Sequence, residues 1–354
     1  MSSNARRPQS AIPQHRRMLE IAAAAPLSLS QHFQPHAQLP HGNCVPLHSE
    51  AFYSWLLLAL AEKGFTPTPH QIGYILRQLD AQAHTRPFLE PVHLRSTKSA
   101  PQLYKVEFST ISMEVIEITA NSWRIEPDFE TRFYRPESSF PFFRPEPIKE
   151  SLPTCLSKLF RLPSDKSREL SSWLAHALLG TPALPTLILT GKQRQQAALK
   201  LRTILDPSAS SILELPRTSR DLGRLALTNS VMVFSIYTHL PKGKIEMFNQ
   251  LRHGMPVRLK EVNKHRPPLT TLVHRPIIIS AEKAPKVHEE QLVIEVNEVG
   301  TTEVPKVFAA LLDAAVQAVA QSLPEPFFVE LEDAAPVRKP LEPPSKPEDS
   351  GPAP

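Results

Sequence analysis

The residues best placed to do chemistry follow a short apolar run. Leu187, Ile188 and Leu189 lead into Thr190, Gly191 and Lys192, and a segment with Ala197, Leu201, Ile204 and Leu205 comes next. The apolar run suits a strand buried on both faces, and the later spacing suits one face of a helix. Strand, glycine turn and helix are the frame of a phosphate-binding loop. A working loop reads G-x-x-x-x-G-K-[ST]: backbone N–H groups crowd the phosphates, the lysine reaches the β/γ oxygens and the hydroxyl holds Mg²⁺. Counting from Gly191, Gln196 holds the second glycine position, Ala197 the lysine position and Ala198 the hydroxyl position. The frame is kept and its chemistry is missing. On its own, strand–glycine–helix also describes any βα turn of a parallel sheet. Lys192, at the start of the turn, is the lysine that could compensate in a rearranged site.

The second group with chemical potential is cationic. Between Gly191 and Arg275 stand fifteen Lys/Arg against five Asp/Glu, a local excess of +10 where the whole chain carries +5. Lys242, Lys244, Arg252, Arg258, Lys260, Lys264 and Arg266 are the candidates for phosphate contacts with nucleic acid. A solvated basic face is the plain alternative, because positive charge is necessary for such binding but not diagnostic. His32, His36, His41, His48 and Cys44 have a spacing that could hold a metal, but no predicted element pre-organises them. No metal site or cofactor is therefore expected. G-x-S-x-G, C-x-x-C and H-E-x-x-H do not occur, and the segment at His288–Glu289–Glu290 lacks a second histidine.

Composition narrows the classes. The chain has 354 residues, with 38 prolines and only 10 glycines. Low glycine argues against an enzyme built on phosphate loops. Two cysteines far apart give no disulfide framework, so a reducing cytoplasm is the default. Arg16 and Arg17 precede a short apolar run, but Glu20 interrupts it and Pro26 ends it, so it is not read as a signal peptide. No stretch is expected to reach the roughly 18 apolar residues of a membrane span, and no membrane partner is expected.

These residues need elements to hold them. Residues 1–45, rich in Pro, Gln and His, are read as a disordered segment. Residues 46–132 read as a small α+β domain. It has helices over 49–62 and after Thr68-Pro69, then strands at Val92, Tyr104–Phe108, Val115–Ile118 and Trp123–Ile125. Residues 133–149 hold four prolines between Phe133 and Pro147 and read as an extended linker, with Phe140, Phe142 and Phe143 as clamps. Residues 150–323 read as a second domain. Helices are expected over 166–179 and 305–322, with strands at 187–189, 231–234, 276–279 and 292–294, which together predict a mostly parallel sheet. Residues 324–354 read as a disordered Pro/Glu-rich tail.

The order AFYSWL, PVHLR, RFYRP, SWLAHALLG, PTLILTG, LDPSAS, LPRTSRDL, RPIII and PKVFAALLDAAVQAVAQSLP runs from about Val45 to Leu323. It resembles the ATP-binding proteins of phages and integrated elements, the helicase-like P-loop NTPases found beside DNA primases. The resemblance implies an α/β fold with a P-loop NTPase-like core, preceded by the small α+β domain. It also implies that several nucleotide positions are altered. Ala197 and Ala198 stand at the Lys-Ser/Thr pair. Ser235 and Ile236 stand where a strand would end in Asp-Asn, and Ser280 stands where a sensor strand would end in Asn. Glu289 and Glu290 stand near an expected Asp-Arg, and Gly254-Met255-Pro256 near a glycine-rich run. Gly191, Lys192, Ala197, Ala198, Ser235 and Ser280 are therefore read as vestigial nucleotide-site positions. Loss of hydroxyl and carboxylate leaves Mg²⁺ without protein anchors, so neither ATP nor Mg²⁺ is expected as a cofactor. The expected function is non-catalytic binding of nucleic acid or protein. The alternatives are a residual ATPase of DNA replication and a structural partner of an active paralogue or other replication protein.

Overall fold

The fold is built around three apolar clusters, and the chain order of the elements does not divide them as the sequence suggests. The computed structural model describes residues 14–30, 34–40, 42, 44–85, 91–109, 113–136, 139–208, 212–237, 240–258, 270–285 and 290–322. The first cluster joins helices α1 (Gln14–Ala22), α2 (Glu50–Glu62) and α3 (Pro69–Thr85). Met18, Phe52, Leu56, Ile75 and Leu79 meet there, all fully buried. Ser49 caps α2 by accepting from the Phe52 N–H, as a serine before an apolar-periodic run should. These helices pack with a five-stranded sheet. It is formed by β1 (Leu27–Ser30), β2 (Pro35–Gln38), β3 (Cys44–Pro46), β4 (Pro91–His93) and β9 (Arg132–Phe133), in the order β3-β2-β1-β4-β9.

The disordered reading of residues 1–45 is thus corrected for α1 and β1–β3. Met18 and Ala22 are buried in the first cluster, so α1 gains from packing what its polar composition does not offer. Residues 1–13 and the tail beyond 322 lie outside the described residues, as do His32 and His41. Among the described residues no group of three His, Cys, Asp or Glu is placed to hold a metal. His36 and Cys44 are buried instead, and burial pushes the imidazole down to about 4 and the thiol up to about 12.

Strands β5 (Ser96–Ala100), β6 (Leu103–Ser109), β7 (Glu114–Ile118) and β8 (Trp123–Pro127) form an antiparallel sheet in sequential order. Val106, Ile116 and Ile118 from this sheet share one core with the C-terminal helices. Those helices are α4 (Leu152–Phe160), α5 (Ser164–Leu178), α6 (Arg194–Leu205) and α9 (Val304–Gln321). A division between 46–132 and 150–323 therefore cuts through a core. Among the described residues of 133–149 there is no helix, and the stretch is held by packing. Phe142 is buried and stacks on Phe308 of α9 at 4.9 Å, while Phe140 and Phe143 stay exposed. Arg95 welds the two sides. Its Nε donates to Asp206 at 3.0 Å, its Nη1 to Glu107 and its Nη2 to the carbonyls of Phe140 and Pro207, all but out of water.

The parallel sheet has the strands β11 (Met232–Ile236), β14 (Ile277–Ala281), β10 (Thr186–Thr190) and β15 (Gln291–Glu295), in that spatial order. These are the apolar runs expected to be strands, and β10, β11 and β14 are buried along nearly their whole length. Helices α7 (Ser219–Thr228) and α8 (Lys242–His253) flank β11, and a hairpin of β12 (Met255–Arg258) and β13 (Thr270–Val273) follows. Helix α9 departs from the expectation of no membrane-length segment, since it is long and apolar enough to cross a membrane. Its apolar residues Val307, Phe308, Leu311, Leu312, Ala315 and Val319 are buried against the antiparallel sheet and against α4 and α5, which makes it a core helix.

Candidate functional site

Gly191 follows directly on β10, an interior strand, at the carboxyl end of the parallel sheet. Register brings Ser280 and Ser235 to the same end of the sheet. Ser280 of β14 pairs with Leu189 of β10, and Ser235 of β11 pairs with Ser280. Open α/β sheets place their ligands at this end. Strand β10, the Gly191 turn and helix α6 follow one another as the apolar spacing predicts.

The loop itself is closed. Only Lys192 and Gln193 stand between Gly191 and Arg194, the first residue of α6. The Lys192 N–H donates to Asn297 Oδ1 at 3.2 Å, and the Gln193 N–H to the Val296 carbonyl at 3.0 Å. Two N–H groups that a phosphate would need are thus taken up by the chain after β15. Gly191 has φ +91°, and a Cβ built there would lie 2.5 Å from the Val296 carbonyl oxygen. Close approach of β15 explains this glycine without a ligand. The carboxylate tied to the loop is Glu295, which accepts from the Asn297 amide at 2.9 Å.

Ala197, read from its spacing as part of a helical apolar face, and Ala198 both lie inside α6. Both are completely buried in α6, because the helix starts three residues before the lysine position. Lys192 is exposed at the rim. Ser280 Oγ is buried without a hydrogen-bond partner. Ser235 Oγ accepts from Gln195 Nε2 at 3.2 Å, and the same amide donates to the Tyr237 hydroxyl at 2.9 Å. A neutral Gln195–Ser235–Tyr237 network therefore occupies the face of the loop where metal ligands would stand. Gln195, Tyr237 and Asn297 were not singled out from sequence. The only signal was position: a polar residue just past each of two apolar strands, and a glutamine in the first turn of the helix that follows Gly191.

Comparison with known proteins adds little. No family profile matches this chain, and no curated protein does. Among solved structures, the chain is similar to the C-terminal region of NrS-1, a phage protein, in its A form apo state. The identity is 13%, the TM-score 0.42, and the match covers 87% of this chain and 69% of that one. A second structure of the same region matches at 12% identity and a TM-score of 0.40 over the same shares. A likeness of this size carries no functional argument.

The cationic candidates among the described residues, Lys242, Lys244 and Arg252, do not form one face. Lys242 is exposed at the start of α8, at the carboxyl end of the sheet. Lys244 is spent on structure: its Nζ donates to the carbonyls of Pro216 and Arg217. Arg252 is 3% exposed at the other end of α8, where it donates to the Leu184 carbonyl and pairs with Glu290 at 2.8 Å. That removes Arg252 from the phosphate-contact set. It also puts Glu290 at the amino end of β15, away from Gly191. Arg258 closes β12, and Lys260, Lys264, Arg266 and Glu289 lie outside the described residues. Sequence missed Arg217 and Arg220, which are exposed at the start of α7. Because Lys244 ties that start to α8, they share the carboxyl end with Lys242 and Lys192.

Proposed function

We propose that this chain is a non-catalytic relative of the mobile-element P-loop ATPases and binds nucleic acid through the carboxyl end of its parallel sheet. The observation that carries the reading is the Gly191 loop. Its N–H groups are bonded to Val296 and Asn297, and a neutral Gln195–Ser235–Tyr237 network lies beside it. Support for the P-loop ancestry comes from the parallel order β11-β14-β10-β15, which sets the loop-bearing strand between two others. Around the closed loop stand the exposed cations Lys192, Arg217, Arg220 and Lys242, with the exposed ring of Tyr237 among them. Cations with an aromatic face are the elements of sequence-tolerant single-strand binding.

Two measurements test this. The purified chain is expected to show no Mg²⁺-dependent ATP hydrolysis above background. Turnover that disappears in Lys192→Ala overturns the non-catalytic half. Binding of a labelled single-stranded oligonucleotide should weaken with salt, with a log–log slope of about −0.7 per phosphate contact. Changing Lys192, Arg217, Arg220 and Lys242 together to Gln should flatten that slope by roughly 2–3 units. No binding to single- or double-stranded DNA or RNA at about 50 mM salt overturns the nucleic-acid half, and a protein partner then takes its place.

A further inference from the structure

The end of the parallel sheet opposite Gly191 holds a cavity of about 560 Å³. Ser230, Val231, Arg275 and Pro276, at the amino ends of β11 and β14, line one side, and β5 and β6 line another through Lys98 and Tyr104. Its volume is that of a small-molecule site. We propose that this cavity binds a small organic phosphate, with the phosphate held by Arg275, Ser230 and Lys98 and an aromatic or apolar body against Tyr104, Phe142 and Val231.

Charge is the first argument. No Asp or Glu lines the cavity among the described residues. Arg95 also reaches it, but Glu107 and Asp206 neutralise Arg95 from behind. Lys98 has no carboxylate beside it and its Nζ lies over the Tyr104 ring at 5.9 Å, while Arg275 makes no direct ion pair among the described residues and feels Asp206, already paired with Arg95, only at longer range. Two cations left over suit a dianionic group better than a single carboxylate.

Orphaned donors are the second argument. Ser230 Oγ and Arg275 Nη2 are both buried without a hydrogen-bond partner. The other Arg275 nitrogens are committed: Nε donates to the Ala226 and Asn229 carbonyls and Nη1 to the His274 carbonyl. Buried polar groups are nearly always satisfied, so two unsatisfied donors on residues that line one cavity, each just beneath its wall, favour an acceptor-rich occupant that draws them out. Three imidazoles, His93, His176 and His274, complete the polar lining. Burial lowers the pKa of each, so at neutral pH they are neutral hydrogen-bonding groups. The remaining wall is apolar and aromatic, which fits the body of a nucleotide-like molecule.

The inference is independent of the nucleic-acid reading, since the cavity and the Gly191 loop lie at opposite ends of the strands. The test is calorimetric titration of the full chain with AMP, adenosine and inorganic phosphate as probes. AMP is expected to bind saturably at one site, with adenosine at least about tenfold weaker because it lacks the charge-assisted bonds. Lys98→Gln and Ser230→Ala should each weaken AMP by about three- to tenfold, and neither should unfold the chain, since Lys98 is exposed and the Ser230 hydroxyl has no partner to lose. Three results overturn the proposal. One is no saturable heat with AMP up to about 5 mM. Another is equal affinity for AMP and adenosine. The third is binding that both cavity variants keep and Lys192→Ala abolishes, which moves the ligand to the Gly191 loop.

Discussion

Gly191 shows how one residue can be needed for structure where its sequence context suggests chemistry. Its φ of +91° and the Val296 carbonyl 2.5 Å from a built Cβ leave no room for a side chain. The obstacle is backbone on both sides, so it cannot relax by a rotamer change. Gly191→Ala is expected to cost about 2–4 kcal/mol of stability, seen as a drop in the thermal midpoint. Gln196→Gly, at an exposed position in the first turn of α6, should cost about 1 kcal/mol, the ordinary price of glycine in a helix. Equal small effects at both sites would mean that the loop is not closed against β15. The same geometry bars simple restoration of the motif. A lysine at Ala197 would start from a fully buried position in α6 and would put a charge into the core.

At the scale of elements, the junction at Arg95 decides how the antiparallel sheet meets the rest. Arg95 sits at φ 123°, between β4 and β5, a conformation unfavourable for any side chain but glycine's hydrogen. Its contacts hold it there: Asp206 at 3.0 Å, Glu107, two carbonyls and the Phe142 ring 5.1 Å from the guanidinium carbon. Glu107 is also paired with Arg135. Removing Arg95 leaves the buried Asp206 carboxylate with the Ser230 N–H at 3.0 Å as its remaining hydrogen bond among the described residues. Arg95→Met should therefore destabilise the chain by about 3–5 kcal/mol in denaturant unfolding, because a buried carboxylate that loses its hydrogen-bonded cation, with Arg202 and Arg275 acting on it only at longer range, costs more than the pair returns. The double variant Arg95→Met/Asp206→Asn should recover part of that loss. No recovery would show that packing of the arginine stem, and not its charge, holds the junction.

For the whole molecule, the shared core is the decisive feature. Val106, Ile116 and Ile118 of the antiparallel sheet pack into the same cluster as Leu311, Ala315 and Val319 of α9. A fragment limited to residues 150–322 would uncover that face of α9, the helix that by composition alone passes for a membrane span. Such a fragment is expected to bind a hydrophobic dye strongly and to aggregate, whereas the full chain should do neither. A well-behaved monomeric fragment would restore the two-domain division read from the sequence.

The sequence alone determined those elements whose apolar spacing is long and regular. Helices α2, α3, α5 and α9 and the strands β10, β11, β14 and β15 fall where periodicity and apolar runs place them, because burial of one face or of both faces writes itself into residue order. It also determined that the G-x-x-x-x-G-K-[ST] residues are absent. What it could not decide was where charge and polar atoms end up. Arg95, Arg202 and Arg252 count as surface charge in a composition, yet each is 3% exposed or less, since a guanidinium can be carried inside when carboxylates and carbonyls meet it. Short elements such as α1, β1–β3 and β9 hold too few residues to show a period and exist through contacts distant in sequence. The same is true of both sites. Asn297 reaches Lys192 across 105 positions, and Lys98 meets Arg275 around one cavity only because the antiparallel sheet is folded against the amino end of the parallel one. Proximity of that kind is a property of packing, and only the tertiary structure decides it.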